Sequence, residues 1–155
     1  MRALLIAAVI GLTAACTPPA ATTTETPEPP ATPAVGVDDE SAQMLLNVLD
    51  PVLSENIGRP VNLQPTTINV RDEWAFIIGQ PRQTNGAPID WATTSYAQRA
   101  ADGVLDGDGQ TFALLKNIDG AWEVLEYVVG PTDVAHIEWA GKHGVPPDVL
   151  GLPSN

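Results

Sequence analysis

The stretch Asp106-Gly107-Asp108-Gly109-Gln110 alternates oxygen-bearing side chains with glycine, a spacing that lets carboxylates converge on a hard cation. In the register of a calcium loop, Asp106, Asp108 and Gln110 take the first, third and fifth places. The sixth place, a glycine in such loops, is Thr111, and the last, a bidentate glutamate, is Asn117. These departures favour a solvated Gly/Asp turn over a metal site. The two histidines, His136 and His143, lie close to Asp133 and Glu138. Asp133 and His136 are spaced to share a helix face, but zinc needs three or four convergent ligands and no tight histidine pair is present. A helix-capping Asp133 and surface histidines are the expectation. Of the serines, Ser41, Ser54, Ser95 and Ser154, none lies in a nucleophile elbow. Asp90 beside Trp91, and Glu123 with Glu126, are the carboxylates to weigh. On a regular strand Glu123 and Glu126 point to opposite faces, which spoils shared acid–base work. Gly103, Gly107 and Gly109 precede no basic helix start, so there is no phosphate-cradling loop. These patterns lead to no expected catalytic residue, metal site or cofactor.

Trp74, Trp122 and Tyr127 fall in strand-like runs, where packing accounts for them. Trp91 and Tyr96 sit where no periodicity demands a large aromatic. They either pin their segment onto the sheet, the favoured reading, or line a ligand pocket.

The elements that position these residues follow from hydrophobic period and turn chemistry. Asp38-Asp39-Glu40 places acid at the start of a helical pattern carrying Ala42, Leu45, Leu46, Leu49, Val52 and Leu53, with Pro51 expected to kink or split it. Val61/Leu63 and Ile68/Val70 alternate in opposite parity, so a bulge or break is expected at Pro65. Residues 74–78 form a second strand, apolar on both faces. Residues 111–116 and 121–129 form a third and fourth, joined by Asp119-Gly120, a hairpin signal. Between the second and third, residues 82–110 are too many for a structureless loop, so a short helix over 95–101 capped by Thr94 is expected. Thr132-Asp133 is expected to cap a last helix through Ile137, Trp139 and Ala140, stopped by Gly141 and Gly144. The result is an α+β fold: a four-stranded antiparallel sheet packed on the N-terminal helix, with a short C-terminal helix. Its element order is similar to that of cystatin-like and NTF2-like folds.

Seven Lys and Arg against 19 Asp and Glu give a formal net charge of −12 in 155 residues. Such a surface repels phosphate backbones and anionic headgroups, which argues against nucleic-acid binding and against membrane attachment by a basic patch. At the N-terminus Arg2 precedes an apolar run over 3–12, too short to span ~30 Å of hydrocarbon, so residues 1–15 read as a signal peptide. Leu12-Thr13-Ala14-Ala15-Cys16 resembles the lipobox of bacterial lipoproteins, departing from it at Thr13, where leucine is usual. The resemblance implies that Cys16 is lipidated and anchors the chain to a membrane. The alternative is an ordinary secretory signal with Cys16 incidental. Cys16 is the one cysteine, so no disulfide or thiolate metal site forms within the chain. Residues 16–36, rich in Thr, Pro and Ala, read as a tether rather than a docking ligand, since no basic residue flanks the prolines. Residues 37–155 then form a single domain. Thr17 rather than aspartate after Cys16 points to the outer membrane, facing the periplasm, if the host has two membranes.

From Leu45 onward the chain also resembles an uncharacterised family of exported bacterial proteins. The stretches concerned are Gly58-Arg59-Pro60-Val61, Trp74-Ala75-Phe76, Phe112-Ala113-Leu114-Leu115, Trp122-Glu123-Val124 and Gly130-Pro131-Thr132-Asp133-Val134. The resemblance implies no catalytic role. Three functional readings remain: a non-enzymatic lipid-anchored envelope protein that binds a protein or envelope partner through its sheet or inserted segment, which is favoured; a small-molecule carrier with Trp91 and Tyr96 at the mouth of a pocket between helix and curved sheet; and a hydrolase with an unrecognised site.

Overall fold

The computed structural model describes residues 37–153. The segments expected as signal peptide and tether, with Cys16, and the last two residues, Ser154 and Asn155, lie outside them. Helix α1 (Asp39–Ile57) begins at Asp38, whose carboxylate accepts the Ser41 backbone N–H at 2.8 Å and the Ser41 hydroxyl at 3.0 Å. Leu45, Leu49, Leu53 and Ile57 recur every fourth residue and are buried along one stripe. Of the kink or split expected at Pro51, the split does not occur: the helix runs on through it. Pro51 stands on the solvent side, where the carbonyl it leaves without a donor can be hydrated, and the buried stripe holds the turns on either side.

Four strands follow, β1 (Val61–Arg71), β2 (Trp74–Gln83), β3 (Thr111–Ile118) and β4 (Ala121–Val129), in a single antiparallel sheet ordered β1-β2-β3-β4. Both hairpins use tight turns, with Asp72 at φ 53° in the first and Asp119 and Gly120 at φ 53° and 90° in the second. The bulge expected near Pro65 is present: pairing with β2 slips between Pro65 and Thr67. The extra residue brings Ile68 onto the same face as Val61 and Leu63. Gly79 lies opposite, where a Cβ would stand 2.7 Å from the Gln64 carbonyl oxygen.

A second slip, opposite Leu114/Leu115, bulges β4 at Leu125. Trp122, Val124 and Tyr127 therefore share the helix side, while Leu125 and Val128 pack on the other. The bulge also corrects the placement of Glu123 and Glu126. They pair with Lys116 and Leu114, and so lie on one face rather than opposite faces.

Helix α1 covers one face of the sheet through Leu45, Leu49, Leu53 and Ile57, against Val61, Leu63, Ile68, Ala75, Ile77, Ala113, Leu115 and Val129. The segment between β2 and β3 completes that side with Ile89 and Trp91 and includes α2 (Ala97–Ala101). Thr94 does not cap α2. Its hydroxyl accepts the Tyr96 N–H and donates to the Trp91 carbonyl, closing the preceding turn instead.

The chain after β4 covers the opposite face. It forms a 3-10 turn (Ala135–Glu138) and α3 (Trp139–His143), then a turn whose Val145, Val149 and Leu150 pack with Trp139 on Trp74, Phe76 and Leu114. Asp133 makes no cap here: Val134 precedes the 3-10 turn without a side-chain bond, and the helix runs through Gly141 to end at Gly144. No helix among the described residues is long and apolar enough to cross a membrane.

Pro51→Ala restores a helical donor on an exposed surface. It should raise unfolding stability by about 2 kcal/mol, the interior-proline penalty less the entropy returned to the unfolded chain. The urea midpoint checks this, and an unchanged or lower midpoint would show that the helix needs the proline.

Candidate functional site

Trp91 is 7% exposed and lies within the helix-side core. Its indole N–H donates to Asp108 Oδ1 at 2.9 Å, and its ring meets Tyr96 edge-on at 5.9 Å. The Tyr96 hydroxyl donates to Asn56 Oδ1 on α1. Burial, then the neighbouring Tyr127, holds that phenol above its ordinary 10.0, so it remains a donor. Arg99 stands over the Tyr96 ring at 5.4 Å and donates to the Val129 and Gly130 carbonyls. The Ser95 N–H caps the last carbonyl of α1, at Ile57. These contacts fasten the inserted segment to helix and sheet.

They also explain the Asp106–Gln110 stretch. Residues Asp106–Asp108 form a 3-10 turn, the Asp108 carboxylate is engaged by the Trp91 indole, and the Asp108 carbonyl accepts from the Gln80 side chain. Gly109, at φ 81°, approaches the indole so closely that a Cβ would stand 2.1 Å from Trp91 Cζ2. Among the described residues no three of His, Cys, Asp and Glu are grouped to hold a metal ion. Asp90 accepts the Ala92 N–H, and the Ser54 hydroxyl is spent on Val61.

Both histidines are half-buried on the second face rather than at the surface. His136 stacks on Phe112 at 4.9 Å with planes 8° apart, and sits 5.4 Å from Phe76. Burial alone lowers its pKa below the ordinary 6.5. His143 Nε2 bonds Glu126, which also accepts Lys142 Nζ at 2.8 and 2.9 Å. Partial burial acts to raise the Glu126 pKa, but the hydrogen bonds and charges of Lys142 and His143 outweigh it and leave it below 4.5.

Glu126 is also the wall of a groove of about 550 Å³ between β4 and the C-terminal segment. Its lining runs from Glu126, Tyr127 and Val128 on one side to Val134, Ile137 and Trp139 on the other. Val134 is 60% exposed and Ile137 47%, while Asp133 and Glu138 stand beside them in the lining. Among the described residues neither of these two acids belongs to an ion pair. The sequence pattern places Ile137 in a last helix with Trp139 and Ala140, not at the mouth of a groove. The available signal was a pair of large aliphatics three apart, each next to an acid.

Two consequences can be measured. Gly109→Ala forces a Cβ into Trp91 at a left-handed φ and should lower stability by about 2–4 kcal/mol in urea unfolding; a neutral result would mean the indole is not held there. His136 and Glu126 both have folded pKa values below their unfolded ones. Each therefore adds stability that is present above its unfolded value and lost as pH falls through its folded one. Acidification should thus destabilise the fold in two stages, below 6.5 and then below 4.5. His136→Phe should abolish only the first stage in a pH series of thermal midpoints.

No family model matches the chain, and neither a curated protein nor a solved structure matches it.

Proposed function

We propose that the chain is a lipid-anchored cell-envelope protein, attached through Cys16, whose domain is a non-enzymatic binding module. Its docking surface for an envelope protein is the groove between β4 and the C-terminal segment. One observation carries this reading: Val134 and Ile137 are left in water beside Val128 and Trp139, inside a concavity. Single exposed aliphatics are ordinary on any protein surface. Two placed together in a groove, with polar groups at its margin, have the anatomy of a protein contact, an apolar centre with a polar rim. Trp91 and Tyr96, the residues a carrier would need at its mouth, are committed to fastening the inserted segment. Export and lipidation rest on the lipobox-like Leu12-Thr13-Ala14-Ala15-Cys16 and on the absence of any other thiol.

A photoreactive residue placed at Ile137 of the full chain in intact envelopes should give a discrete protein adduct. The same residue at Met44, exposed on α1, should give none. Equal labelling from both positions would overturn the groove as the docking surface. So would labelling from neither, combined with a small molecule retained by the purified protein. Separately, processing should be blocked by globomycin, and acylation should add mass to the mature chain. Both effects should vanish in Cys16→Ser; an unacylated mature protein would reduce the segment to an ordinary secretory signal.

A further inference from the structure

The second face of the sheet is covered only part of the way along. The C-terminal segment packs on Trp74, Phe76 and Leu114, with Ile78 at the margin of that cluster. Past Ile78 the same face of β2 continues with Gln80 and Arg82, which pair across the ladder with Gln64 and Asn62 of β1. This polar end carries a pocket of about 360 Å³, lined by Asn62 and Gln64 of β1 and by Arg82, Thr84 and Gly86 of β2 and the turn after it. That turn is fixed by its own hydrogen bonds. With Gly86 at φ 83°, the Gly86 N–H donates to the Gln83 carbonyl at 2.7 Å and the Gln83 N–H donates to the Ala87 carbonyl at 2.9 Å.

Arg82 is the exception among the cations. Of the seven Lys and Arg, all but Arg2 fall in the described residues. Arg71, Lys116 and Lys142 pair with Asp148, Glu73 and Glu126. Arg59 donates to Thr93 and Gln83, and Arg99 to the carbonyls of Val129 and Gly130. Among the described residues Arg82 alone has neither an ion pair nor a side-chain hydrogen bond, although the chain has 19 acids for seven bases. It is half-buried, and Asn62 and Gln64 bring neutral carboxamides to the same pocket rather than a compensating charge. A guanidinium without a carboxylate, in a concavity lined by carboxamides, offers a planar fork of N–H donors to an anion from outside.

We propose that this pocket binds a small carboxylic acid carrying a hydroxyl or amide beside the acid group. Arg82 holds the two carboxylate oxygens with parallel N–H donors, and the carboxamides of Asn62 and Gln64 bond the neighbouring polar group. Net charge decides the class of anion. The chain's −12 repels any anion at a distance, and the repulsion grows with the anion's own charge. A phosphate dianion meets about twice the repulsion of a carboxylate, and a polyanion many times it. A single carboxylate keeps the full fork at contact. The small volume sets the same limit, since it lies near the lower end of ligand sites. The pocket belongs to the β1–β2 side of the sheet, away from the groove beside β4, and the inference does not rest on the docking reading.

The test uses the full chain in detergent micelles and N-acetylglycine, a carboxylate with an adjacent amide, followed through the side-chain N–H resonances of Arg82, Asn62 and Gln64. Binding should saturate in roughly the millimolar range and move those resonances together, leaving Arg59 and Arg99 unmoved. N-acetylglycinamide, the same molecule without the charge, should not bind. Inorganic phosphate should bind more weakly than N-acetylglycine. Arg82→Gln should weaken binding about tenfold or more, through loss of charge-assisted hydrogen bonds. Arg82→Lys, which keeps the charge and loses the fork, should weaken it about fivefold. Arg82 holds no other group in place, so both variants fold, which circular dichroism verifies. Equal binding of N-acetylglycinamide, undiminished binding by Arg82→Gln, or equal shifts at the other arginines would overturn the site. Tighter binding of phosphate would overturn the carboxylate class, and the absence of any saturable shift would overturn the proposal outright. Cross-linking from Ile137 tests the groove separately, and either result leaves this one standing or falling on its own.

Discussion

Trp74, Ala75, Phe76 and Ile77 are consecutive in β2, and all are buried. Successive strand residues point to opposite faces, so this strand has no side that tolerates water, and Ala113, Leu114 and Leu115 impose the same condition on β3. An antiparallel sheet commonly leaves one face solvated; this one cannot. Two covers are therefore obligatory, and most other features follow from how a short chain supplies them. Helix α1 is long enough to serve as the first. Among the described residues there is no second long helix, and the opposite face is closed by the chain after β4, with one 3-10 turn, the short α3 and a turn ending at Leu150.

So irregular a cover needs fastening at both edges of the sheet. On the β4 side Glu126 holds Lys142 and His143. On the β1 side Asn69 donates to the Val149 carbonyl at 2.9 Å and Arg71 pairs with Asp148. Exposed ion pairs contribute less than about 1 kcal/mol each, whereas burying a side chain such as Val145, Val149 or Leu150 contributes about 2 kcal/mol. Burial therefore holds the segment down, and the polar contacts decide where along the sheet it lies. The same division applies on the helix side, where Trp91 supplies the buried area and Asp108, Asn56 and Ser95 set its position.

Much of this was legible in the residues. The four-residue spacing from Leu45 to Ile57, the Asp119-Gly120 turn and the limits of β4 are local signals, and the structure agrees with each. The parity conflict between Val61/Leu63 and Ile68/Val70 announced the bulge after Pro65. An equal conflict between Trp122/Val124 and Tyr127/Val129 announced the bulge at Leu125, and it was missed because no proline marks it. The split that Pro51 suggested fails for the opposite reason: a strong local breaker is overridden by packing of the helix face behind it. The aliphatic and acid pairs at 133–134 and 137–138 hint at the groove, but its walls are two segments that approach only once the second face is covered.

The groove also follows from the covering itself. A chain that leaves an edge strand at Gly130 and must return across the far face of the sheet turns beside that edge, and the turn stands off from β4. Trp139 then points inward to complete the core while Val134 and Ile137, on the same few turns, remain outside. Closure of the second face and presentation of the groove are thus one event. A ligand held there would bind only the folded arrangement and would stabilise it by mass action. Acidification through His136 and Glu126 would weaken this cover, and the groove with it, together with the fold as a whole. Stability on the second face and the existence of the groove beside β4 are in this sense the same property of the C-terminal segment.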